Sequence, residues 1–74
     1  MMTMKDMKIL ERCHAEAVKK MGDAATAIAE YVIEGHRPTQ DMVEDYRAAK
    51  LGVESTRRDL EYCINIELAE LLET

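Results

Sequence analysis

The chain has 74 residues and a net charge of −5, from ten basic and fifteen acidic side chains. That length allows one domain at most and lets only about 60% of the unfolded surface be buried, so a lone fold is marginal, and scaffolds of this size usually add a disulfide framework, a metal or a second subunit. Two cysteines are too few for a disulfide framework, and the acidic total disfavours nucleic-acid binding driven by phosphate neutralisation.

Phe and Trp are absent and Tyr occurs three times, which leaves an aliphatic core drawn from Ala, Leu, Ile, Val and six Met. Helix formers and charged residues dominate, as in long-helix proteins. No apolar run approaches the roughly 18 residues of a membrane span, and Met1–Asp6 lacks the features of a signal peptide. A cytoplasmic protein is therefore expected.

The first predicted element is a helix over residues 3–34. Thr3 is its expected N-cap, with Asp6 three residues on and Met2 and Met7 placed as a hydrophobic staple. Its apolar positions run Met7, Leu10, His14, Ala17, Met21, Ala24, Ile28 and Tyr31, a three-four alternation suited to packing along another helix. Val18, Ala25 and Val32 are expected to widen that stripe. Residues 1–20 carry five basic against three acidic side chains. Expected i,i+4 pairs on the outer face are Arg12–Glu16 and Lys19–Asp23.

The break spans residues 35–39. Gly35 suits the left-handed residue after a helix, Pro38 blocks resumption, and Thr39 can cap a second helix. Counting outward from Arg37 as the midpoint puts Gly22 level with Gly52 and Cys13 near Cys63. A three-helix chain broken at Gly22-Asp23 is the structural alternative.

The second predicted helix covers residues 39–73. Its apolar stripe reads Met42, Tyr46, Ala49, Val53, Thr56, Leu60, Ile64, Leu68 and Leu71, with an average step near 3.6 residues, which predicts little supercoiling. The whole, residues 1–74, is expected to be one all-α domain: an antiparallel two-helix hairpin that dimerises into a four-helix bundle.

The end of the hairpin opposite the turn is too apolar for one interface. Tyr62 and Ile66 are expected to point away from Leu60 and Ile64. The candidate dimer or partner interface is Met4, Met7, Ile9, Leu10, Leu60, Tyr62, Ile64, Ile66, Leu68, Ala69 and Leu72.

Catalytic signals are weak. The chain has one Ser, Ser55, with no His placed near it, and no Gly-rich phosphate loop. Glu11 and His14 have the Glu-x-x-His spacing of bundle metal sites, and Cys13 and Cys63 could join them across a dimer as zinc ligands. No core-facing carboxylate completes a di-iron site, so no cofactor and no metal are expected in the leading reading. That reading is a small non-enzymatic interaction module, a dimeric adaptor or inhibitor of a partner protein. The size and charge suit phage-encoded anti-activators. The alternatives are a metal-binding bundle and a secretion-chaperone-like hairpin. A partner with a basic surface or an apolar helix is expected, because residues 40–74 hold nine acidic against four basic side chains.

Overall fold

The computed structural model describes residues 4–73, with side-chain surroundings for residues 6–72. The expected cap at Thr3 and the Met2–Met7 staple lie outside the described residues. Two helices, α1 (Met4–Ile33) and α2 (Gln40–Glu73), pack against each other as a hairpin. Both are continuous through Gly22 and Gly52, so α1 does not break at Gly22-Asp23. A single glycine costs a helix about 1 kcal/mol against Ala, which the neighbouring turns of Ala, Met and Leu tolerate.

The turn is built from local backbone chemistry. Gly35 takes φ 88°, a left-handed conformation that costs other residues about 1–2 kcal/mol. Its N–H donates to Val32 O at 2.9 Å, and His36 N–H donates to Tyr31 O at 3.0 Å. These are the two bonds of a Schellman motif, and they satisfy carbonyls that the helix end would otherwise leave open. The accompanying side-chain contact is between the rings of Tyr31 and His36, with centroids 4.9 Å apart. Thr39 caps α2: its Oγ1 accepts from Met42 N at 3.2 Å while its carbonyl accepts from Val43 N at 3.1 Å. Gln40 Nε2 then reaches Glu44 Oε1 at 3.1 Å along the first turn.

In α1 the eight stripe residues from Met7 to Tyr31 are all half-buried, and the residues between them are exposed. Val18, Ala25 and Val32 are exposed, so they do not widen the packed stripe as expected. In α2 the packed line runs Met42, Tyr46, Ala49, Val53, Thr56, Leu60, Cys63 and Glu67. That is a strict seven-residue repeat, so the expected 3.6-residue stripe through Ile64, Leu68 and Leu71 is incorrect beyond Leu60. A straight stripe would drift about 20° per heptad off the partner helix, and over four heptads the drift would carry it out of contact. Slight supercoiling keeps the seam facing the partner and selects Cys63 over Ile64. Cys63 is the one fully buried side chain among the described residues, at 1% exposure.

A cross-helix bond sets the level of the arms. His14 Nδ1 lies 2.8 Å from Thr56 Oγ1. With seven-residue repeats on both helices, that bond puts Leu10 beside Leu60, Ala17 beside Val53 and Met7 beside Cys63. Partners on α2 are therefore displaced by about one helical turn from a count made around Arg37. Gly22 is not level with Gly52, and Cys13 is at the level of Arg57 rather than Cys63. The turn causes the displacement. Residues 36–39 are non-helical, and an extended residue advances about 3.3 Å against 1.5 Å in a helix, so equal residue counts are not equal heights.

The resulting rod measures 59 × 17 × 16 Å with a radius of gyration of 16.9 Å. A globular chain of this length would have a radius near 11 Å.

Candidate functional site: the open end and the flanks of the hairpin

The His14–Thr56 contact is a hydrogen-bonded polar layer inside a mostly apolar seam. The Thr56 hydroxyl lies 3.0 Å from Gly52 O and 3.1 Å from Val53 O, and its single hydrogen is directed to those carbonyls. Its oxygen therefore accepts from His14, which makes Nδ1 the protonated ring nitrogen. The imidazole is thus engaged with Thr56 rather than with the Cys13 thiol beside it in sequence.

This geometry bears on the metal-ligand set. Glu11 and Cys13 are exposed, His14 is half-buried in the seam, and Cys63 is buried about two helical turns from it, beside Met7. Among the described residues, no three His, Cys, Asp or Glu side chains converge on a common point within one chain. Among the same residues, no helix is long and apolar enough to cross a membrane.

A shallow groove of about 510 Å³ lies along one flank of the seam. Cys13, Lys20, Asp45, Ala48 and Gly52 are among its lining residues. It exists because Ala17, Ala24, Ala49 and Gly52 meet there, side chains too small to fill the space between two helix axes. Two rods need not leave a concavity, so it was not anticipated from the sequence.

The expected interface residues separate into two groups. Met7, Leu10, Leu60 and Ile66 are half-buried and belong to the packing between α1 and α2. Ile66 is thus turned toward α1 and not away from Leu60, because the seam shifts to Cys63 and Glu67 on its side of α2. Ile9, Tyr62, Ile64, Leu68, Ala69 and Leu72 are exposed. The side chain of Met4 lies outside the described residues. Exposure is 53% at Ile9, 62% at Tyr62, 50% at Leu68 and 86% at Leu72, so these apolar surfaces meet water in the single chain.

A second apolar surface was not singled out from the sequence. It lies on α1 beside the packed seam and comprises Ala15, Val18, Gly22, Ala25, Ala29 and Val32, all exposed, with Ile33 at its edge. Its spacing is again three-four. The same spacing is legible in the sequence, where Val18, Ala25 and Val32 fit equally well as a broadening of the internal stripe.

Charge on the described surface is mostly solvated. Arg57 Nε and Glu61 Oε1 lie 3.7 Å apart on an exposed face, a pair worth a few tenths of a kcal/mol. The expected Arg12–Glu16 and Lys19–Asp23 pairs do not close.

No protein-family model, curated protein or solved structure matches this chain.

Proposed function

We propose that the chain is a non-enzymatic protein-interaction module that dimerises into a four-helix bundle and acts in the cytoplasm as an adaptor or inhibitor of a partner protein. The supporting observation is the concentration of exposed apolar side chains at the end opposite the turn. Ile9, Tyr62, Ile64, Leu68, Leu71 and Leu72 all lie there. Exposed apolar surface concentrated at one end is costly to leave in water and marks interaction sites. The exposed acidic side chains interleaved with it on α2, Glu61 and Glu70, favour a partner whose apolar surface is rimmed by basic residues.

The test is affinity capture from lysate with the wild-type chain, Tyr62→Ala and Leu72→Asp. Both side chains are exposed, so neither substitution removes packing within the hairpin. Both variants are expected to lose a partner that the wild type retains through washes in 0.5 M salt, on the order of the ionic strength that screens surface charge. Equal capture by all three chains would remove the open end as the docking site.

A further inference from the structure

The hairpin exposes more surface than a chain of its mass should. Its accessible area is 6163 Å², against about 4,600 Å² for a globular monomer of 8.4 kDa. The excess of about 1,500 Å² exceeds the roughly 800 Å² per partner buried in a standard stable interface. The open end accounts for part of that excess. The apolar flank of α1 accounts for another, at a different height on the rod, and one occupant fits it by length, spacing and charge.

We propose that a second copy of this chain packs antiparallel against the α1 face carrying Val18, Ala25 and Val32, about a two-fold axis level with Gly22 and Ala25. This rests on the dimeric reading above and names its interface. The face lies about 100° around α1 from the packed seam, the angle at which a bundle helix meets its second neighbour. Its six positions, Ala15, Val18, Gly22, Ala25, Ala29 and Val32, read the same spacing in both directions. Antiparallel pairing sets Val18 against the partner's Ala29, Val32 against the partner's Ala15, and Gly22 against the partner's Ala25. Each layer then pairs a larger side chain with a smaller one, which lets the axes approach to about 8 Å. A Cβ on Gly22 would meet nothing within 4 Å in the single chain, so its lack of a side chain serves no contact inside the hairpin.

Charge selects the antiparallel arrangement. Over residues 4–20 of α1 the basic Lys5, Lys8, Arg12, Lys19 and Lys20 outnumber the acidic Asp6, Glu11 and Glu16, although Glu11 lies on the line of Val18 and Ala25. Residues 21–34 carry Asp23, Glu30 and Glu34 with no basic side chain, and α2 begins with Asp41, Glu44 and Asp45. Antiparallel packing lays each copy's basic stretch beside the other's acidic turn end, while parallel packing would set like charge against like. The overlap covers about 20 residues of α1, roughly 30 Å. Both open ends then project beyond the partner's turn and stay accessible, so dimerisation and partner binding use different surfaces.

Sedimentation equilibrium over 5–200 µM, roughly the range in which a standard interface is populated, tests this together with far-UV circular dichroism. The wild type is expected at twice 8.4 kDa. Ala25→Glu should weaken the dimer roughly 100-fold, since each copy would bury an unpaired carboxylate near the axis. Leu68→Glu should change it by less than about twofold. A monomeric wild type would overturn both this interface and the dimeric reading. A dimer lost in Leu68→Glu but kept in Ala25→Glu would overturn this interface alone. Independently of whether Ala25→Glu folds, a spin label at Arg37→Cys in a Cys13→Ala background reads the distance between the two turns. The proposed axis gives about 35 Å. A distance under about 20 Å indicates parallel packing and one beyond about 50 Å indicates pairing through the open ends, and either refutes it.

Discussion

Removing the polar layer at His14 and Thr56 tests both the hydrogen bond and the register derived from it. Thr56→Val keeps the side-chain shape and removes the oxygen, and His14→Ala removes the ring. The bond is 2.8 Å long and half-buried, so its net worth lies in the usual range of about 0.5–1.5 kcal/mol. Thr56→Val also frees its hydroxyl's bonds to Gly52 O and Val53 O, whose carbonyls already accept helical bonds, so little else is lost. Each single substitution mixes that bond with packing and propensity changes, and a double-mutant cycle isolates it. The expected coupling is about 1 kcal/mol. In urea, with an m-value near 1 kcal/mol/M for so short a chain, this is a midpoint shift of about 1 M in the His14 background that disappears in the His14→Ala background. The assay is circular dichroism at one fixed protein concentration, since association would add to apparent stability. A coupling below about 0.3 kcal/mol would show that the two residues do not share a layer, and the level assigned to every other pair would fail with it.

Two further predictions follow from the turn and the seam. Gly35→Ala should lower stability by about 1–2 kcal/mol because of its φ of 88°, while Gly52→Ala should raise it by up to about 1 kcal/mol, since a Cβ there meets nothing within 4 Å. Thermal melts should therefore move in opposite directions, and a shared direction would contradict the backbone assignment. Leu60→Ala should cost about 2 kcal/mol and Leu68→Ala less than about 0.5 kcal/mol in urea titrations, because the seven-residue seam contains the first and leaves the second half exposed. Equal costs would instead support the straight stripe through Leu68.

Much of the architecture was legible in the residues. The alternation from Met7 to Tyr31 needs only local counting, because a helix fixes which side chains share a face whatever it packs against. Gly35 and Thr39 were legible for the same reason: a left-handed residue and a side-chain oxygen at a helix start are local requirements. At the open end, Tyr62 and Leu72 could be read as surplus because one helix face can pack only one neighbour at a time.

Tertiary structure alone decided three things. It chose Cys63 and Glu67 over Ile64 and Leu68 for the last turns of the seam, since both sets are acceptable locally and only the path of α1 distinguishes them. It set the height of one arm against the other, which separated Cys13 from Cys63 and joined His14 to Thr56. It also left Val18, Ala25 and Val32 outside the seam, turning an expected margin of the core into a free face. The physical reason is common to all three. Sequence periodicity gives the angle of each side chain around its own helix, while the supercoil and the rise through the turn belong to the pair of helices together.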